Sequence, residues 1–180
     1  MKKGIFITFE GIDGCGKSTQ SKLIYDYLKK NGHKVVYTRE PGGTKFAEYI
    51  RNILLNPKNQ ISPLAELFLY ESGRAEHVKR TILPAIKSKS IIICDRFFDA
   101  TIAYQGYGRG LDIKMIEKLN YFASQGIIPD LTILLDISAS EGLKRVKKLK
   151  KNDRMEKEKI SFYNKVRRGY LLLAKKFPKR

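Results

Sequence analysis

The run Gly11-Ile12-Asp13-Gly14-Cys15-Gly16-Lys17-Ser18, followed by Thr19, leaves this chain few folds to choose from. It has the spacing G-x-x-x-x-G-K-[ST], in which glycines let the backbone wrap so that successive N–H groups face phosphate oxygens. The pattern works between a buried strand and a helix, and both flanks are present. Gly4–Glu10 is β-rich and nearly all apolar, as a strand covered on both faces is. Lys17–Lys30 follows with Leu23, Ile24, Tyr27 and Leu28 at helical spacing, and Asn31-Gly32 stops it. A helix beginning near Gly16 adds the positive end of its dipole. Lys17 then reaches the transferring phosphates and the Ser18 hydroxyl ligates Mg²⁺. The bland reading, a glycine turn beside an incidental lysine, explains neither flank. A nucleoside triphosphate site formed by Gly11, Ile12, Asp13, Gly14, Cys15, Gly16, Lys17, Ser18 and Thr19 explains both.

Strand-like and helix-like segments alternate along the rest of the chain. Lys34–Thr38 is strand-like and ends at Pro41-Gly42-Gly43; Ser62-Pro63 opens a helix that runs toward Lys87. Ser90–Cys94 and Leu131–Leu135 are buried strands, each followed by an acid, and Asp112–Gln125 is a helix between them. The last helix carries Phe162, Val166, Tyr170, Leu173 and Phe177 on one stripe. No repeat or linker divides the chain, so one domain over residues 1–180 is expected. Its class is α/β, a P-loop NTPase-type three-layer sandwich: a parallel sheet of about four strands flanked by helices. The first strand should be interior and strand 131–136 an edge, partly covered by basic helices. Ligands of such a sheet sit at the carboxyl ends of its strands. Asp95 ends a hydrophobic strand there, as a Mg²⁺-directed Walker-B acid does, although a strand-terminal Asp is also a common turn starter.

Charge is the unusual compositional feature. Thirty-six basic residues stand against 18 acidic ones, a net charge of +18. Residues 144–180 hold 16 of the basic and 3 of the acidic side chains, so the excess is C-terminal. A solvated lysine-rich helix face accounts for part of it; attraction for a polyanion accounts for the rest, and a triphosphate serves as well as DNA. A nucleic-acid-dependent ATPase is therefore the rival class. Two cysteines, Cys15 and Cys94, suit a reducing compartment. The apolar runs are strand-sized and the N-terminus lacks a signal-peptide pattern, so a cytoplasmic protein without membrane or nucleic-acid partners is expected.

Phe9–Gln20 resembles the opening of bacterial thymidylate kinases, and so do Thr38-Arg39-Glu40-Pro41-Gly42-Gly43-Thr44, Gly73–Val78, Asp95–Gly106 and Asp153-Arg154-Met155-Glu156. The resemblance runs in order from Gly4 to about Ala174. It implies transfer of the ATP γ-phosphoryl group to dTMP, giving dTDP, by a homodimer joined through helices on one sheet face. Arg96 would clamp the acceptor phosphate and Arg74 aid it near the base. Glu40, Pro41 and Arg51 fall among the implied substrate-binding positions. Tyr70 stands where the family stacks a Phe on thymine. Thr101 and Gln105 would bond the pyrimidine edge, Tyr104 would exclude a 2′-hydroxyl, and Asp13 would touch the 3′-hydroxyl. A kinase of the same fold acting on UMP or CMP is the nearer alternative.

Two departures from the family pattern stand out. Gly14 occupies the loop position where an arginine can reach the ATP phosphates, so the lid, about residues 144–154, should supply that cation. Lys147, Lys148, Lys150 and Lys151 dominate the lid, leaving Arg145 and Arg154 as arginine candidates, with Arg154 the expected catalytic one. The family also continues beyond residue 180 with a strand and helix that help wall the adenine. Sparse base contacts, weak discrimination between ATP and GTP and salt-sensitive donor binding are the corresponding expectations.

Overall fold

The computed structural model describes residues 4–148 and 153–180. Four parallel strands, β1 (Ile5–Glu10), β2 (Val35–Arg39), β3 (Ile91–Asp95) and β4 (Leu131–Leu134), form one sheet in the order β2-β3-β1-β4. β1 is interior: Phe9 lies opposite Asp95 of β3, and Glu10 opposite Leu134 of β4. Arg39 of β2 is also level with Asp95. Three strand ends therefore finish together, and the loops after them emerge side by side. β4 is an edge, as expected. Its Thr132 N–H meets the Arg180 carbonyl at 2.8 Å, so the last residue of the chain covers this point rather than a basic helix.

Helices flank the sheet. α1 (Lys17–Lys30) leaves the phosphate loop, and α2 (Lys45–Leu55) starts at a Thr44 cap that accepts from Ala47 N–H at 3.1 Å. α3 (Pro63–His77), capped by Ser62, passes through a π-helical turn at Val78–Ile82 into α4 (Leu83–Lys87), so the helix expected toward Lys87 is continuous. α5 (Phe98–Thr101) likewise runs into a π-helical segment, Ile102–Gly108. α6 (Ile113–Ala123), α7 (Ala139–Lys148) and α8 (Ile160–Lys176) complete the described α-helices, with a 3-10 turn at Met155–Lys157 before the last.

One core cluster sets Phe6 edge-on to Phe97, with ring centres 5.0 Å apart, among Val78, Ile82, Ile92 and Cys94. Another joins the phosphate loop, through Ile12 and Cys15, to Tyr104, Phe162, Tyr163, Val166 and Tyr170. The α8 stripe is buried as its spacing predicts, except Phe177, which caps the helix end and is 40% exposed. α1 departs from its pattern. It buries Lys17 and Ser21, whereas Leu23 and Tyr27 are exposed and Leu28 is half-buried. The phosphate loop sets this rotation: directing Lys17 and Ser18 into the site turns the apolar stripe away from the sheet.

Candidate active site

The phosphate loop is pressed backbone to backbone against α7. Gly14 has φ +76°, and a Cβ there would lie 2.3 Å from the Gly142 carbonyl oxygen; one on Gly142 would lie 2.6 Å from the Asp13 carbonyl oxygen. Both positions need glycine. Gly16 caps α1 in the left-handed conformation, and Lys17 is the first helical residue. The Lys17 ammonium is buried, donates to the Ile12 carbonyl at 3.1 Å and stands 3.8 Å from the Asp13 carboxylate. Burial, then the Arg96 charge, lowers its pKa against the pull of Asp13. Cys15 is a buried small side chain beneath the loop.

Ser18 Oγ donates to Asp95 Oδ2. Asp95 Oδ1 is buried, and among the described residues it is the side-chain oxygen left without a hydrogen-bond partner. A hydroxyl beside an unsatisfied carboxylate oxygen suits a hard cation that takes its other oxygens from phosphate and water. Among the described residues no cluster of three or more His, Cys, Asp or Glu forms a protein-only metal cage.

Asp13 joins this loop to a second, arginine-lined cavity. Arg96, just after β3, sends Nη2 to Asp13 Oδ1 at 2.6 Å and to the Tyr104 hydroxyl at 3.0 Å. Its Nη1 donates to the Gly11 carbonyl at 2.9 Å and to the Tyr170 hydroxyl at 2.8 Å. Asp13 Oδ2 accepts from the hydroxyls of Tyr104 at 2.9 Å and Tyr163 at 3.2 Å. Burial alone would raise the Asp13 pKa, yet Arg96 and then Lys17 hold it well below the usual carboxylate range.

Glu40, Pro41, Arg51, Tyr70, Arg74, Thr101, Tyr104 and Gln105 line the cavity together with Asp13 and Arg96. The expected acceptor-side residues thus converge. Arg74 is fully enclosed: Nε bonds Glu40 at 2.8 Å, Nη1 bonds Glu71 at 2.9 Å and Asn120 at 2.7 Å, and Nη2 bonds Thr101 at 2.7 Å. Burial pulls its pKa down, but Glu40 and Glu71 reverse that and push it up. Glu40 Oε1 in turn meets His77 Nδ1 at 3.0 Å, and His77 Nε2 meets Thr38 Oγ1 at 2.6 Å. The Glu40–Pro41 peptide is cis, and Arg51 donates to the Pro41 carbonyl at 3.0 Å. Tyr104 and Gln105 both lie in the π-helical segment, a form often found at functional sites.

The lid arginines are placed differently from expectation. Arg154 donates through Nε to the Leu54 carbonyl at 2.8 Å and through Nη2 to Glu66, an anchor against α2 and α3 rather than a contact to the phosphate loop. Arg145 pairs with Glu141 one turn back on α7, at 2.9 Å, on an exposed surface. Lys147 and Lys148 are exposed in the last turn of α7; Lys150 and Lys151 lie outside the described residues. Sequence reasoning missed Glu10, His77, Tyr163 and Tyr170 as parts of this network. An acid closing the apolar strand before the phosphate loop was the available signal for Glu10.

A triphosphate loop and an arginine-lined cavity that share one carboxylate make this a P-loop kinase with separate donor and acceptor sites. The thymidylate kinase family model matches residues 9–180. The thymidylate kinase of Thermoanaerobacter sp. (strain X514) is 51% identical over 178 residues, covering 99% of this chain and 87% of the relative. That of Gloeobacter violaceus is 48% identical over 180 residues, covering 98% and 84%. The crystal structure of thymidylate kinase from Ehrlichia chaffeensis matches with a TM-score of 0.82 at 41% identity, over 99% of this chain and 91% of that one. The chain belongs to the thymidylate kinase family.

Proposed function

We propose that this protein transfers the γ-phosphoryl group of ATP to dTMP, giving dTDP and ADP. The observation that carries the reading is the Asp13–Arg96 pair, which spans from the phosphate loop to the acceptor cavity at 2.6 Å. Phosphoryl transfer needs positioning and charge neutralisation more than covalent help, and the residues fit that demand. Gly11–Thr19 wraps the donor phosphates, and Lys17 places a buried cation on the transferring group. Ser18 and Asp95 would hold Mg²⁺, which neutralises charge on the donor phosphates. Arg96 and Arg51 receive the acceptor phosphate with guanidinium charge and N–H donors. Tyr70 faces the pyrimidine, and Thr101, Gln105 and Arg74 stand at its edge. Tyr104 leaves no room for a 2′-hydroxyl, and Asp13 takes the 3′-hydroxyl. The basic lid over about residues 144–154 excludes water; Arg145, Lys147 and Lys148 are among its described exposed cations, while Arg154 bonds Leu54 and Glu66.

Homodimerisation belongs to the same reading. α2 packs on α3 and α3 on α6. Together they expose Phe46, Tyr49, Ile53, Leu64, Phe68, Tyr121 and Phe122, an apolar face of the kind that pairs with its own copy. A cytoplasmic location accords with the enzyme class, and no described helix is long and apolar enough to cross a membrane. The deciding experiment is ADP release from ATP–Mg²⁺ with dTMP, dUMP, UMP, CMP, GMP or AMP as acceptor. Fast release with dTMP, abolished by a chelator, is expected. Preference for UMP or CMP, or release without any acceptor, would overturn the reading.

A further inference from the structure

We propose that Glu10 is the positioning residue of Arg96, holding its backbone through the Phe97 N–H and its guanidinium through the Tyr170 hydroxyl. The inference rests on Arg96 being the acceptor-phosphate clamp, as proposed above. Glu10 ends β1, is 1% exposed and does not line the acceptor cavity. A carboxyl group in such a place is costly and must be matched by its bonds. Oε1 accepts from Phe97 N–H at 2.6 Å, and Oε2 accepts from the Tyr170 hydroxyl at 3.0 Å. These two partners bracket Arg96: Phe97 follows it in the chain, and the Tyr170 oxygen accepts from its Nη1 at 2.8 Å.

Arg96 needs such a hold. Its φ is +71°, in the left-handed region that non-glycine residues rarely occupy. The Arg96 N–H bonds the Phe9 carbonyl at 3.0 Å, and Glu10 fixes the next N–H, so consecutive β1 residues grip the turn on both sides of the strained residue. At the other end of the side chain, a Tyr170 O–H donated to Glu10 leaves the oxygen lone pairs for Arg96. Asp13 holds Nη2 from the opposite side. The guanidinium is thereby set in one plane before the acceptor arrives, its four Nη hydrogens on protein oxygens and its Nε–H left for the phosphate. Burial and the neighbouring Asp99 disfavour charge on Glu10, against the bonds from Phe97 and Tyr170.

The test compares binding of dTMP with binding of thymidine, which lacks the phosphate, by calorimetry on the full chain. Tyr170→Phe keeps the packed ring and removes the link; Glu10→Gln leaves one acceptor oxygen where the Phe97 N–H and the Tyr170 hydroxyl need two. Both should weaken dTMP binding by about tenfold, the scale of one charge-assisted hydrogen bond. Thymidine affinity should stay within about twofold, because a general loss of structure would lower both ligands alike. In an Arg96→Ala background, Tyr170→Phe should cause no further loss. Equal losses for the two ligands, or an unchanged dTMP affinity in Tyr170→Phe while Arg96→Ala abolishes the phosphate increment, would overturn the inference. A phosphate increment untouched by Arg96→Ala would overturn the clamp reading, and the inference with it. Tyr170→Phe carries the test if Glu10→Gln fails to fold.

Discussion

Arg96 Nη2 stands 2.6 Å from Asp13 Oδ1, while Lys17 Nζ stands 3.8 Å from the same oxygen. One carboxylate of the phosphate loop thus faces a cation from each side of the transfer path. Its ionisation is secured by those cations, which hold its pKa far below neutrality despite burial. The arrangement separates residues that act on charge from residues that act on packing.

Lys17→Ala tests the charge side. Its ammonium bonds a backbone carbonyl and faces a carboxylate, with no apolar packing role for the tip. Turnover should fall by about a hundredfold or more, as when one preorganised charge donor is removed from a transition state. Thermal unfolding should shift by no more than a few degrees, on the order of ΔΔG below 1 kcal/mol. Near-wild-type turnover in a coupled ADP-release assay would show that the loop does not carry the transfer.

Tyr104 combines a ring and a hydroxyl with different tasks, and two variants separate them. The hydroxyl donates to Asp13 and accepts from Arg96, whose guanidinium also lies 4.9 Å from the ring centre. Tyr104→Phe should lower kcat/KM for dTMP by about tenfold through the lost hydrogen bonds while preserving discrimination against the ribose analogue. Tyr104→Ala should narrow that discrimination as well. Identical sugar selectivity in the Ala variant would assign exclusion of the 2′-hydroxyl to another group.

What the sequence made legible was what local spacing records. Three of the four strands end in a residue that directly precedes a loop of the site: Glu10 before Gly11, Arg39 before Glu40, Asp95 before Arg96. The interior place of the first strand and the edge place of the last were expected from the order of these segments, and the cavity lining from family motifs. The rotation of α1 was not legible, because spacing marks Leu23 and Tyr27 as a packing stripe while the phosphate loop dictates which face turns inward. The anchoring of Arg154 was not legible for a different reason. Its partner Glu66 looks like an ordinary helix-surface acid, and its bonds come from residues 39, 43 and 88 positions away. No local periodicity reports such a convergence.

Glu66 is accordingly a stability prediction. It is wholly buried and accepts from Gln105 at 2.7 Å, from Arg109 Nε and Nη2 at 3.2 Å each, and from Arg154. Burial works against its charge, but these bonds bring its pKa below the usual value. Glu66→Ala would leave Arg109 only its Glu158 pair and Arg154 only the Leu54 carbonyl, and a loss of about 3 kcal/mol is expected from denaturant unfolding. Arg154→Lys should cost stability as well and leave turnover within about threefold, since its fork serves Glu66 and Leu54. A tenfold fall in turnover without destabilisation would return Arg154 to the catalytic lid.

Glu10 makes stability depend on pH in a direction opposite to that of Glu66. Burial, reinforced by Asp99 of α5, pushes its carboxyl from 4.5 up to about 8, with Arg96 and the bonds from Phe97 and Tyr170 of α8 opposing. Asp99 is itself raised by burial against the pull of Arg180, so two acids compete for charge in one interior. With the folded value above the unfolded one, the folded state binds the extra proton throughout the interval between them. The favourable contribution is complete below the unfolded value and disappears as pH rises through about 8. Wild-type stability, followed by denaturant midpoint from about pH 5 to 9, should therefore decline on this group's account. Glu10→Gln, which cannot ionise, should flatten that decline and be at least as stable as the wild type at the alkaline end, even as it loosens the acceptor phosphate. Parallel midpoint curves for the two proteins would mean that Glu10 titrates near its ordinary value, and that holding Arg96 costs the fold nothing in this range.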